Sequence, residues 1–384
     1  MNKLPTQTKT EVQIHNKLVK KLMKLSKLND NWVPFSIFME TVLYDPDYGY
    51  YIRNQENFGE LGDFVTAPMV SDFFAQTFLK QFHEIFKETA SIILEIGPGN
   101  GFFCRDILQS SEDDGIQIDK YYLMEIGVQS KKKQKVMLKK CLSDSAYKKI
   151  KWVTEVPDSF SGVVFMNELL DALPVDIFEV REKKLYQMGL SFENQHLTWS
   201  YKDELSSLDI MKNQIDKLPE GYIFEHSFEY EKLIKGLNAK ITKGAVFIVD
   251  YGFANHEYFH PDRSEGTLMC HYRHFSHSDP LINLGSQDIT SHVNFSYLAE
   301  LCNKNNFLIE GFLSQANFLI NSRILDCLNK YDPNDSLSFI KKTTELQKLL
   351  SPAEMGDLFK VMVLSKNIDI NLGCSQTQDK SFQL

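Results

Sequence analysis

The sequence has no paired-cysteine signature. Its six cysteines (Cys104, Cys141, Cys270, Cys302, Cys327 and Cys374) never fall as C-x-x-C and are too scattered for a disulfide framework. A chain of this length needs no such staples, so reduced thiols are expected. No metal site is expected. Long apolar runs are missing: no stretch approaches the ~18 consecutive apolar residues of a membrane span. The opening MNKLPTQTKT has no apolar signal core, and it is rich in Lys without Arg, unlike a transit peptide; a soluble, cytoplasmic protein is expected. An excess of positive charge is also lacking. With 42 Lys and Arg against 51 Asp and Glu, the net charge is −9, which speaks against a general polyanion binder and for no nucleic-acid partner. There is no internal repeat and no low-complexity block.

What is present is a globular composition. Hydrophobic residues make up 43% and charged residues 24% of 384 positions, enough to bury a sizeable core in two or three domains or in one elaborated α/β domain. Most of the 28 Phe and 16 Tyr must lie in that core. Residues 1–30 carry seven Lys against Glu11 and Asp30, a local charge of +5. Leu18, Val19, Leu22, Met23 and Leu25 fall at helical spacing there. The pattern predicts a basic amphipathic helix that packs on the body of the protein with a solvated Lys face.

The centre alternates short apolar runs with helical segments. SIILEIGPGNG (91–101), KYYLMEIG (120–127), KWVTEVP (151–157), SGVVFMNELLDALP (161–174) and GAVFIVDYGF (244–253) read as five strands of a parallel, doubly wound sheet. The six Lys of 131–140 read as a solvated helix face. FKVMVLSKNI (359–368) reads as an apolar strand able to complete the sheet. The expected organisation is a helical and loop extension over 1–90 and a core over 91–260 with a β-hairpin insertion at about 176–235. A long polar, His-rich functional loop follows over 261–300, then C-terminal helices and a closing strand over 301–368, and a loose tail over 369–384.

Glu95, Gly97, Gly99 and Gly101 form E-x-G-x-G-x-G between a strand and a helix. Glycines here let a ligand approach the backbone and let the chain turn sharply into a helix N-terminus. The dinucleotide fingerprint G-x-G-x-x-G would need glycine at 102, where Phe102 stands. Glu125 closes the next strand, placed as a carboxylate that accepts two ribose hydroxyls. The glycine spacing and the two acids resemble the cofactor motif of class I S-adenosylmethionine methyltransferases. Four further segments sharpen the likeness: GDFVTAP (62–68), NELLDALPV (167–175), GTLMCHYRHFSHSDPLINLGSQDITSHVNF (266–295) and PAEMGDLFKVMVL (352–364). Together they resemble the MidA family of class I methyltransferases over roughly residues 30–366, in the family's order. One departure is IGVQSKKKQ after Glu125, which lacks the family's S-P-x-L.

The resemblance implies a Rossmann-like α/β fold, S-adenosyl-L-methionine as cofactor, and methylation of an arginine of a protein partner, with a respiratory complex I subunit as the family's analogy. It places Asp63 near the cofactor with Glu95, Gly97, Gly99, Gly101, Glu125 and Asn167. Glu168, just past the fourth strand, takes the position where class I arginine methyltransferases hold an essential Glu; Asp171 and His292 join it as catalytic candidates. A carboxylate there would fork a guanidinium and align its plane. Plainer roles stand beside these: an Asx-turn for Asp63, helix N-terminal charge for Glu168 and Asp171, and loop ordering for His274, Asp288, Thr290 and His292. His271, His274 and His277 share a spacing of three in a segment that does not read as a helix. A non-enzymatic assembly factor that keeps the fold, and a methyltransferase for a small molecule or peptide, are the alternatives.

Overall fold

The computed structural model describes residues 4–53, 65–202, 217–370, 372–375 and 377–384. Two compact units emerge, each assembled from three stretches of chain: residues 65–170, 233–254 and 293–384 form the larger, and residues 1–64, 171–232 and 255–292 the smaller. The expected hairpin insertion and the His-rich segment thus contribute to one unit together with the N-terminal stretch.

The larger unit is built on an eight-stranded sheet. Its strands, numbered along the chain within this unit, are β1 (Ile92–Ile96), β2 (Lys120–Met124), β3 (Ile150–Val153), β4 (Phe160–Asn167), β5 (Ile241–Phe253), β6 (Val293–Asn294), β7 (Leu308–Ser314) and β8 (Phe359–Lys366). Their order across the sheet is β7-β8-β5-β4-β1-β2-β3, with β6 paired to the end of β5. Strands β3, β2, β1, β4 and β5 run parallel, and β8 is inserted antiparallel between β5 and β7. The five parallel strands are those read from the sequence, and β8 completes the sheet as expected. Order and direction are those of a class I methyltransferase fold. Runs such as VVFM in β4 and VMVL in β8 are continuous rather than alternating because both faces of these strands are buried.

The helix Asp72–Phe86 starts at Ser71, whose side chain accepts a hydrogen bond from the Phe73 N–H. Phe74, Phe78, Phe82 and Ile85 recur on one face and are fully buried. Phe78 is the hub: its ring lies 4.8 Å from Phe74, 5.1 Å from Phe165 on β4 and 4.6 Å from Phe318. Phe103 stacks on Phe165 at 3.9 Å, which packs the helix Phe102–Asp113 onto the sheet. The tail expected to be loose is anchored instead. Leu372 and Cys374 are buried in this core, and Asp379 accepts the Phe312 N–H at 2.8 Å.

The smaller unit contains a five-stranded antiparallel sheet (Trp32–Pro34, Lys184–Glu193, Asp176–Arg181 and Ile223–His226 in order, with His196–Lys202 also paired to Lys184–Glu193). A three-stranded sheet orders Phe275–His277, Met269–Tyr272 and Asp288–Thr290. The segment 261–300, expected as a long loop, therefore carries these strands of three or four residues, each too short to show a period. The N-terminal helix Lys9–Lys27 opens on a Thr8–Glu11 capping box and buries Ile14, Leu18 and Leu22, leaving a Lys-rich outer face as the sequence predicts. These apolar side chains share one core with Phe35, Phe38, Ile177 and Leu190. No helix among the described residues is long and apolar enough to cross a membrane.

Candidate functional site

Strands β1 and β4 are neighbours where the strand order reverses, the crevice at which open α/β sheets bind ligands beyond their carboxyl ends. Three chain segments of the larger unit leave the sheet there: the glycine loop after β1, the Glu125 turn after β2 and Asn167–Leu170 after β4.

In the glycine loop Gly97, Gly99 and Gly101 have φ of 71°, 51° and 82°, the left-handed region that side chains other than glycine rarely adopt. A Cβ on Gly97 would stand 2.9 Å from Leu169 Cδ1, and one on Gly101 would stand 3.3 Å from Met137 Cε. The loop is pinned by Gly97 N–H to the Met124 carbonyl (3.1 Å) and Gly101 N–H to the Pro98 carbonyl (2.7 Å). Asn100 Oδ1 accepts the Phe102 N–H and starts the following helix.

The two acids of the motif sit differently. Glu95 is 4% exposed, and its Oε2 accepts the Tyr121 hydroxyl at 2.7 Å. Burial pushes its carboxyl up to about 8, so it is engaged within the unit. Glu125 is only partly buried. Its Oε1 accepts the Gly127 N–H at 2.7 Å and its Oε2 accepts Gln134 Nε2 at 3.0 Å. Burial raises the Glu125 carboxyl, and the hydrogen bonds from Gly127 and Gln134 oppose that rise.

Past β4, Glu168 has φ +51°, an uncommon conformation for a side-chain-bearing residue and a form of strain that gathers at functional sites. Its N–H donates to the Val249 carbonyl at 2.9 Å, and Asn167 Nδ2 donates to its Oε1 at 3.0 Å. Asn167 Oδ1 is buried with no hydrogen-bond partner among the described residues. Asp250, wholly buried on β5, accepts the N–H groups of Leu169 (3.2 Å) and Leu170 (2.8 Å). It clamps the backbone that follows Glu168.

Asp171 and His292 belong to the smaller unit, as do Asp288, Thr290 and His274. There the Asp171 carbonyl accepts the Ser291 N–H at 3.0 Å. Asp288 Oδ1 accepts the Tyr51 hydroxyl at 2.7 Å, and the His292 N–H donates to Thr267 Oγ1, which in turn donates to the buried Glu225 carboxylate at 2.8 Å. Burial, with Asp288 adding to it, pushes the Tyr51 phenol well up. Thr290 Oγ1 and Ser291 Oγ are buried without a partner among the described residues, so Thr290 does not order its segment through its hydroxyl. His274 sits with Arg273 at the tip of a hairpin, both at positive φ. Asp63 lies outside the described residues, which also hold no cluster of three or more His, Cys, Asp or Glu side chains arranged for a metal. Sequence reasoning missed Gln134 and Tyr121. Gln134 hides in a Lys run, where its position four residues before Leu138 is the one available signal; Tyr121 reads as an ordinary strand aromatic.

The strand ends therefore offer what S-adenosylmethionine asks for: a loop whose left-handed backbone favours glycine, a hydrogen-bonded carboxylate with acceptor capacity left on both oxygens, and a buried amide oxygen awaiting a donor. Residues 73–313 match the model of a family described as "Putative S-adenosyl-L-methionine-dependent methyltransferase". A COG1565 superfamily member from Burkholderia thailandensis, crystallised with S-adenosyl-homocysteine bound, is 33% identical with both chains covered in full and a TM-score of 0.95. The Drosophila melanogaster protein named protein arginine methyltransferase NDUFAF7 homolog, mitochondrial, is 26% identical over 91% of this chain and 85% of its own. Human protein arginine methyltransferase NDUFAF7 is 25% identical over 85% and 78%. The chain belongs to this family and is an S-adenosylmethionine-dependent methyltransferase.

Proposed function

We propose that the chain methylates an arginine side chain of a protein partner and that Glu168 is the carboxylate that holds the guanidinium. When bound, S-adenosylmethionine supplies the methyl carbon and departs as a thioether. Gly97, Gly99 and Gly101 give its amino-acid end close access to backbone N–H groups, Glu125 accepts the ribose hydroxyls, and Asn167 Oδ1 accepts from cofactor or acceptor. Glu95 contributes from behind, by fixing β1 against Tyr121.

The observation that carries the arginine reading is the Glu168 backbone. At the end of β4 the Glu168 backbone is held at positive φ by the Val249 carbonyl and the Asp250 clamp, and Asn167 Nδ2 donates to its Oε1, so both backbone and carboxylate are positioned in advance. A guanidinium is planar and protonated in water. A fixed carboxylate that forks two of its nitrogens leaves the third to attack the methyl carbon and then lose its proton. Asp171 and His292, in the smaller unit, are further catalytic candidates, His292 as a base. The names of the Drosophila and human relatives support the acceptor class; by the family resemblance, subunits of respiratory complex I are the first acceptors to try.

The test pairs binding with transfer. Glu168→Gln should bind S-adenosylhomocysteine within about twofold of wild type while methyl transfer falls by roughly 100-fold or more, as for loss of an interaction made at the transition state. Labelled methyl recovered as methylarginine in a protein supports the reading. Transfer at the wild-type rate by the variant, or label on another residue type or only on small molecules, overturns it.

A further inference from the structure

The helix Val128–Cys141 is Lys-rich, and Gln134 and Leu138 are its buried residues. A fully buried glutamine on such a helix calls for an account of its amide. Nε2 donates to the Gly99 carbonyl at 2.8 Å and to Glu125 Oε2 at 3.0 Å, while Oε1 accepts the Trp152 indole N–H at 2.9 Å. An indole nitrogen is only a donor, so Trp152 forces the amide oxygen toward itself. The N–H groups must then face the glycine loop and the acid. The reversed amide would set its oxygen against both a carbonyl and a carboxylate, so each end of the side chain enforces the same orientation. The stem of Gln134 also packs under the loop, since a Cβ on Gly101 would stand 3.5 Å from its Cγ.

We propose that Gln134 is a positioning residue for the cofactor: oriented by Trp152, its amide holds the Glu125 carboxylate and the Gly99 carbonyl in one geometry before the cofactor arrives. The inference rests on the reading of Glu125 as the ribose-binding acid. A glutamate on a turn has several rotamers, and fixing one only on binding costs affinity. Gly127 and Gln134 fix both carboxylate oxygens from one side and leave acceptor capacity on each for a ribose hydroxyl. The same amide ties that acid to the loop at the end of the neighbouring strand, so two subsites are spaced by one side chain.

The test is calorimetric titration of the full chain with S-adenosylhomocysteine and with its 2′-deoxyribose analogue. Gln134→Met keeps the length of the side chain and removes its hydrogen bonds. It should weaken S-adenosylhomocysteine roughly 10- to 100-fold, the range of one or two charge-assisted hydrogen bonds, and should shrink the preference over the deoxy analogue. Gln134→Glu keeps the acceptor for Trp152 but sets a second carboxylate against Glu125, and should weaken binding further. The preference is a ratio between two ligands on one variant, so a general loosening of the fold does not move it. Glu125→Gln should reduce the same preference, and adding Gln134→Met to it should bring little more loss in the preference. Wild-type affinity and preference in Gln134→Met, with Glu125→Gln impaired, overturns the role of Gln134. Independent, additive losses of preference overturn the claim that it acts through Glu125. An unimpaired Glu125→Gln overturns the ribose reading beneath it.

Discussion

The two units bury polarity in opposite ways. The core of the larger unit is aromatic and aliphatic, centred on Phe78 and its neighbours, and several of its buried acids do local work near the sheet: Glu95 ties β1 to β2 through Tyr121, and Asp250 clamps the chain after β4. In the smaller unit the buried polar groups hold interior segments together. Glu225 alone accepts the N–H groups of Thr267 and Leu268 and the Thr267 hydroxyl, while Asp288 takes Tyr51. One unit draws its order from packing and uses polarity to shape a site; the other uses polar bonds to order segments too short to order themselves.

That contrast can be broken at graded points. Phe78→Ala strikes the aromatic hub and should lower the unfolding free energy by about 3–5 kcal/mol in denaturant titration. A loss under about 1 kcal/mol would mean that the larger core is not packed as described. Glu95→Gln should change how stability depends on pH. Its carboxyl is raised to about 8, so the folded state binds the proton more tightly than the unfolded chain. The stabilisation is fully present below the ordinary carboxylate range and is lost as pH rises toward 8. Wild type should therefore lose stability across that window relative to Glu95→Gln, and parallel pH curves for the two would refute the buried, protonated Glu95. Thr290→Val should have the smallest effect, within about 1 kcal/mol, because it replaces a buried hydroxyl that has no partner with a methyl of the same shape. A larger loss would show that the hydroxyl is bonded after all.

The same contrast explains what the sequence disclosed. Parallel strands buried on both faces announce themselves as apolar runs, and the left-handed glycines between β1 and the next helix announce themselves as glycines. The smaller unit gave weaker signals. Its tight hairpin turns fall at Glu182–Lys183, Asn194–Gln195 and Arg273–His274, all at positive φ, yet none is an Asn-Gly or Asp-Gly pair. The strands they join near His274 are too short for a period. At the site, the positions of the glycines, Glu125 and Glu168 were legible because strand ends fix them. That Glu95 is bonded inward was not, because Tyr121 meets it only through pairing of β1 with β2. Gln134 was hidden because the same letters that describe a solvated Lys face also describe a helix with one buried amide.

The division into units has a consequence for biosynthesis. The strand Trp32–Pro34 finds its partner only when Lys184–Glu193 has been made, and the smaller unit is not complete in sequence until residue 292. At roughly 5–20 residues per second, residues 65–292 take on the order of 10–45 s to synthesise. For that interval Leu18, Phe35 and Phe38 lack part of their core, so a nascent chain carries an N-terminal segment whose apolar side chains still await partners.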